Sequence, residues 1–306
     1  MTGAGGFVGS RLVPALSAAG YEVIGTDVFA PDWAPDGWVA GDIADPDIRK
    51  RALAGCEAAI HLATVPGGAA EQAPTLAHGI NVEAATLLSQ ELASASPGAR
   101  FVFASSVAVL GDPLPPHVND TTKLAPVMLY GAHKAMMETW FATLHRRGDL
   151  QALSLRLPGI VARPEGPSGM KSAFMSTVFH ALARRLPVEL PVSPGATMWL
   201  MSVSRASASF VHALDVAAAG AAERSLTLPA LHVRMADLVS EICRRTGADP
   251  SLVSYRPDAA TERGFGAQPP LSTPAAEALG FRHDGTLAQL VSSALASIES
   301  NGKAHL

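Results

Sequence analysis

Short apolar runs and longer amphipathic stretches alternate through the first half of the chain. Residues 22–28 (EVIGTDV), 58–63 (AAIHLA), 100–105 (RFVFAS) and 152–157 (ALSLRL) are short and rich in Val, Ile, Phe, Leu or Ala. Strands buried on both faces read this way. Between them the spacing predicts helices over 7–19, 82–95 and 129–146, and Gly20 stands where the first helix favours a left-handed terminator. Strand–helix alternation of this kind predicts βαβ units and a parallel sheet, an α/β fold. After Pro158 the texture changes. Proline and glycine cluster in 158–167, 187–195 and 257–270, with helical patterns over 172–185, 205–222, 235–246 and 286–298. That half predicts a smaller, mostly helical lobe, with helix 205–222 packing back on the first domain.

Composition narrows the class. At 306 residues the chain can bury roughly three quarters of its unfolded surface. Hydrophobic residues make up 48% and charged residues 16%, with a mean hydropathy of +0.22, which excludes disorder. The net charge of −4 and the absence of a Lys/Arg run give no attraction for nucleic acid or an anionic membrane. No charge-free apolar run reaches the ~18 residues of a membrane span, and the chain opens on glycines, not on a basic stretch followed by an apolar one. Cys56 and Cys243 form neither a disulfide framework nor a zinc motif. The expectation is a soluble, cytoplasmic protein.

The chemistry begins at Thr2-Gly3-Ala4-Gly5-Gly6-Phe7-Val8-Gly9-Ser10. Glycines at 3, 6 and 9 allow a tight turn, a close backbone approach to a pyrophosphate and tight packing of the following helix on the sheet. The helix N-terminus then offers unpaired N–H groups to the phosphates. The next predicted strand ends in Asp27, near the offset of an acid that accepts from both adenosine ribose hydroxyls. Val28 and Phe29 follow it, with no Arg to hold a 2′-phosphate. NAD is therefore expected over NADP. Asp42-Ile43 is placed either to reach the adenine or to cap its own loop. Only Met1 and Thr2 precede Gly3. A strand of the usual ~5–6 residues belongs there, at the centre of the sheet. The first strand is thus expected to be truncated, and the natural protein to begin upstream of Met1.

Tyr130-Gly131-Ala132-His133-Lys134 is a YxxxK. On a helix its two ends share a face. A tyrosine is a poor base at its usual pKa of ~10, but an adjacent lysine charge favours the phenolate. Ser105-Ser106 ends a predicted strand upstream, where ligands bind open parallel sheets. Spacing favours Ser106; either serine can instead cap its loop.

In that order Thr2 to Gly9, Asp27, His61-Leu62-Ala63-Thr64, Asn81, Phe103 to Gly111 and Tyr130 to Lys134 resemble the extended short-chain dehydrogenases/reductases, the superfamily of nucleotide-sugar epimerases and dehydratases. The resemblance implies a Rossmann doubly wound parallel sheet over 1–160 that binds NAD, and a substrate lobe over 161–204 and 223–306. It implies Ser106, Tyr130 and Lys134 as the catalytic set, with Lys134 also on the nicotinamide ribose. Gly3, Gly6, Phe7, Val8, Leu62, Ala63, Thr64, Asn81, Pro158 and Ile160 join Asp27, Asp42, Ile43, Tyr130 and Lys134 around the cofactor, although a packing role suits Asn81 equally. A homodimer through helices 82–95 and 129–146 is also implied.

Met198 stands where nucleotide-sugar enzymes carry an Arg for the diphosphate, and Ser202-Val203-Ser204 replaces their acidic end. A smaller substrate follows. The strings Leu155 to Pro164, Ser172-Ala173-Phe174-Met175-Ser176, Trp199 to Arg205 and Ala278-Leu279-Gly280-Phe281 most resemble the D-erythronate dehydrogenase subgroup, which oxidises the 2-hydroxyl of a small sugar acid with NAD. A carboxylate needs a cation. Arg205 is expected to supply it, with Ser172 and Ser176 on the hydroxyls, Trp199 as an apolar wall, and Ser106 and Tyr130 at the reacting oxygen. No metal is expected. Two rival readings stay open: a nucleotide-sugar epimerase/dehydratase, and a catalytically silent NAD-binding regulator.

Overall fold

Two seven-residue strands, Arg100–Ser106 and Gln151–Leu157, bury their five central residues on both faces of a parallel sheet. A computed structural model describes residues 1–165, 171–219 and 222–303 and divides the chain into two compact units. Unit 1 comprises Met1–Gly111, Leu124–Leu157 and Ser207–Thr227. Unit 2 comprises Asp112–Lys123, Pro158–Ala206 and Leu228–Leu306.

The unit 1 sheet contains β1 (Thr26–Asp27), β2 (Val39–Ala40), β3 (Ala58–His61), β4 (Arg100–Ser106), β5 (Gln151–Leu157) and an edge strand, Ser225–Thr227. β1 pairs with β2, and β3, β4, β5 and the edge strand follow one another, every pair parallel. Thr2 joins the two groups by bridging Thr26 on one side and His61 on the other. The order around it is therefore that of a doubly wound sheet. The strand expected over 22–28 is formed only at Thr26–Asp27. Ladder hydrogen bonds need a partner, and on this side the partner is Met1–Thr2: Thr26 N–H donates to Met1 O at 2.9 Å and Ala4 N–H to Thr26 O at 3.2 Å.

Helices α1 (Gly9–Ala18), α2 (Pro46–Ala52), α3 (Ala85–Ala95) and α4 (Leu129–Arg147) belong to the same unit. α4 ends at Gly148, φ +80°, with His145, Arg146 and Arg147 in its last turn, where cations suit the helix dipole. Leu88 and Leu92 of α3, Met137 and Phe141 of α4, and Phe101 and Phe103 of β4 form one buried core. The Phe141 ring centroid lies 4.6 Å from that of Phe101 and 4.8 Å from that of Phe103. Of the helix expected over 82–95, residues 85–95 are α-helical and 82–84 belong to a π-helical turn, Gly79–Ala84.

In unit 2, helices make up most of the regular structure among the described residues. They include Phe174–Ala183, Met235–Thr246 and Leu287–Lys303. The unit also carries two small sheets that the sequence pattern did not predict. Leu231–Arg234, Thr197–Ser202 and Gly159–Val161 form one, and Val188–Leu190 pairs with Val253–Tyr255 in the other. These strands are short and lie among prolines and glycines, which masks their period. The helix expected over 205–222 spans Val203–Ala218; residues 220–221 lie outside the described residues.

Candidate active site

The glycine loop is shaped by close backbone approach. Gly3 has φ +66°, and a Cβ at Gly9 would overlap the carbonyl groups of Gly3 and Ala4. Any larger residue at Gly9 would push α1 away from the turn. Gly6 by contrast meets only Gly3 O, at 3.3 Å, so its outer side is open. α1 has no side-chain cap and no acidic residue in its first turn. Phe7 and Val8 lie just before it, half-buried. Asp27 reaches back to this loop. Its Oδ2 accepts from Gly5 N–H at 3.0 Å and its Oδ1 from Val28 N–H at 2.8 Å. An open glycine, an uncapped helix start and a carboxylate at the end of the next strand fit a dinucleotide. Asp42 Oδ1 accepts from Ala44 N–H at 2.9 Å and so caps its own loop, while Ile43 is buried in the core.

The segment after β3 is clamped by Asn81. Its Oδ1 accepts from Thr64 Oγ1–H at 2.9 Å and from Val65 N–H at 2.7 Å, and its Nδ2 donates to Val65 O at 2.9 Å. Asn81 is buried and sits in the π-helical turn, a feature frequent at functional sites. Leu62, Ala63 and Thr64 are half-buried beside it. His61 is fully buried. Its Nδ1 pairs with Thr2 Oγ1 at 2.7 Å and its ring stacks on Phe103. Burial, then the Lys134 charge, then the amino terminus hold its pKa down to about 3.

Ser106 ends β4 and caps the short 3-10 turn Val107–Leu110 by accepting from Ala108 N–H at 3.1 Å. α4 rests on that turn: a Cβ at Gly131 would overlap the Ala108 carbonyl. The glycine inside YxxxK thus lets the helix of Tyr130 approach the serine turn. Tyr130 is half-buried and Lys134 is buried. Lys134 Nζ stands 5.5 Å from the Tyr130 ring centroid and 4.5 Å from that of Phe103, within cation–π range. Burial brings the Lys134 pKa down to about 7 against an upward pull from Glu138.

Sequence reasoning missed what lies beneath. Ser105, the neighbour of Ser106, donates to Glu138 Oε1 at 2.5 Å. Arg156 of β5 donates to the same carboxylate through Nε at 2.9 Å and Nη2 at 2.8 Å. All three residues are buried. The signal was there: Glu138 stands four residues after Lys134, on the same helix face.

The remaining expected residues lie in unit 2. Pro158 is buried, and Ile160 is half-buried in its strand. Ser172 sits in the turn Lys171–Ala173 and is half-buried. Ser176 Oγ accepts from Arg163 N–H at 3.1 Å. Trp199 is a core residue, 1% exposed, with Nε1–H donating to Pro269 O at 2.7 Å. Arg205 is half-buried, and its N–H donates to Ser202 Oγ at 3.1 Å.

The sequence profile described as the NAD dependent epimerase/dehydratase family matches residues 1–222. The chain belongs to this family. It is accordingly an NAD-dependent oxidoreductase of the extended short-chain dehydrogenase/reductase type, as the motifs implied. The subgroup resemblance also holds. The chain is 31% identical over 309 aligned positions, covering 95% of both chains, to D-erythronate dehydrogenase of Cupriavidus necator. It is 29% identical to D-erythronate dehydrogenase of Haemophilus influenzae over 265 positions, covering 81% of this chain and 82% of the other. The crystal structure of a nucleoside-diphosphate-sugar epimerase from Agrobacterium tumefaciens superposes with a TM-score of 0.86 at 25% identity, covering 98% of this chain and 93% of the other. No helix among the described residues is long and apolar enough to cross a membrane.

Proposed function

We propose that the protein oxidises the 2-hydroxyl of a small sugar acid with NAD, D-erythronate to its 2-oxo acid being the favoured case. The observation that carries this reading is the similarity to two D-erythronate dehydrogenases, over 95% of both chains for one and over 81% of this chain for the other. Gly3, Gly6, Phe7 and Val8 would hold the pyrophosphate and Asp27 the adenosine ribose, which selects NAD over NADP. Bound NAD supplies the hydride acceptor. The chain's own residues do the rest. Tyr130, as phenolate, takes the proton from the 2-hydroxyl. Lys134 favours that phenolate electrostatically. Ser106 donates to the reacting oxygen and orients it. Arg205 is the cation proposed for the substrate carboxylate, with Ser172 and Ser176 on its hydroxyls.

Met198 is fully buried in its strand, so the position that would need a diphosphate-binding cation carries a core residue. That favours a small acid over a nucleotide sugar. The similarity to a nucleoside-diphosphate-sugar epimerase supports the second reading, transient oxidation without net NADH. A homodimer through α3 and α4 is part of the proposal; Leu87 and Met136 on those helices are exposed. Function in the cytoplasm is proposed with it. The test follows NADH absorbance over a panel of aldonates, with a nucleotide sugar assayed in parallel for product. The proposal expects NADH with a short aldonate. A nucleotide-sugar product without NADH would favour the epimerase, and NAD binding without turnover the silent regulator.

A further inference from the structure

The carboxylate of Glu138 is the meeting point of three elements. It lies on α4, one turn beyond Lys134. Ser105 reaches it from β4 and Arg156 from β5, and these two residues are register partners in the sheet. Side-chain exposure is 3% for Glu138 and 10% for Arg156, so the pair is screened little by solvent. Breaking such a pair is far costlier than never having had it, and an apolar pair of similar volume can replace it. A carboxylate used only to pin α4 to the sheet would be an expensive choice. Its position, one turn from the lysine of the site, points to another use.

We propose that Glu138 is a positioning residue for the proton chemistry: held by Ser105 and Arg156, its negative charge favours the protonated form of Lys134 and thereby makes Tyr130 more acidic. The inference rests on the Ser-Tyr-Lys reading above. Lys134 needs such help because burial drives it toward the neutral amine, and Glu138 is the group that opposes this. The other titratable or charged groups around Lys134 do not replace it. His61 on β3 stays neutral. His133 on α4 is also pushed toward neutrality, chiefly by burial. Tyr130 is the group being tuned, and Arg156 on β5 is engaged by Glu138 itself. Ser105 links this charge to the strand that ends in Ser106, so one carboxylate registers the serine and the lysine together.

The sign is fixed. Without the Glu138 charge, Lys134 loses its proton at lower pH. An uncharged Lys134 no longer lowers the Tyr130 pKa. The ascending limb of kcat/KM against pH for alcohol oxidation then moves upward. Glu138→Gln, which keeps an acceptor for Ser105, is expected to raise that limb by about one unit and lower kcat/KM at pH 7 about tenfold, with recovery at high pH. Ser105→Ala, which keeps the charge, is expected to lower the rate without moving the limb. Because Glu138→Gln leaves Arg156 unpaired, Glu138→Leu combined with Arg156→Met is measured beside it, with Tm as the check on folding. It removes the Arg156 charge along with the Glu138 charge, so it should show an upward shift smaller than that of Glu138→Gln. A limb that stays in place in the folded variants, or a rate loss equal at every pH, would overturn the proposal. So would failure of both charge-removing variants to fold, which would make the carboxylate a structural strut. Tyr130→Phe separates the two levels. Retained activity there refutes the Ser-Tyr-Lys reading itself. An inactive Tyr130→Phe with an unmoved Glu138→Gln profile refutes this inference alone.

Discussion

The glycine-loop side of the unit 1 sheet is built from backbone, whereas its β4–β5 half is built from side chains. On the loop side, β1 and β2 have two residues each and a single residue, Thr2, bridges to β3. The nearby chain leaves Val28, Phe29 and Trp33 exposed. At the other half, strands of seven residues and a 19-residue helix enclose three packed phenylalanines and a buried ion pair. The difference suits the role proposed for each. A pyrophosphate is held by N–H groups and open space, which glycine supplies. A tyrosine that must exchange a proton near neutral pH needs a charge close by and little water, which only buried side chains supply.

The comparison can be broken at its backbone side first. Gly9→Ala places a methyl on the Gly3 and Ala4 carbonyls, so α1 must shift from the turn. We expect loss of ~2 kcal/mol or more in urea unfolding, as for overpacking in a tight site, together with loss of measurable NAD binding. Unchanged stability would mean that the loop does not depend on that approach. Asp27→Asn probes the same side more gently. It removes a charge from the ribose position while leaving an acceptor for Gly5 N–H. NAD affinity is expected to fall about tenfold while NADP affinity holds or rises, read by titration of both nucleotides.

A smaller effect sharpens the side-chain half. His61 is held near a pKa of about 3, against about 6.5 when unfolded. Between these values the unfolded chain binds the extra proton, so stability is full above pH 6.5 and is lost as the pH falls toward 3. From pH 7 to 5.5 this one group should cost ~1 kcal/mol. His61→Phe should make the unfolding free energy less sensitive to that change by the same amount. An identical pH dependence in both proteins would contradict the buried, neutral imidazole.

What could be read from the sequence follows the same divide. The glycine spacing, Asp27 and YxxxK are local patterns, and the continuous apolar runs of β4 and β5 mark strands buried on both faces. Val23 and Ile24 have the character of strand residues, but ladder pairing depends on what lies beside them, and β1 forms only at Thr26–Asp27. The Ser105–Glu138–Arg156 network was missed because its members are 18 to 51 residues apart and only the β4–β5 register brings them together. Asn81 had two readings from the sequence; the π-helical turn makes it a clamp on Thr64 and Val65. Trp199 follows a buried Met and precedes a buried Leu in a central strand, and such a tryptophan is core.

The central claim is that Tyr130 carries the proton while the glycine loop carries the nucleotide. Tyr130→Phe tests it most directly, with kcat for a short aldonate and the Kd for NAD measured on the same preparation. The account predicts that kcat falls by ~10³-fold or more while the Kd for NAD changes by less than about threefold. A variant that still turns over near the wild-type rate would contradict it.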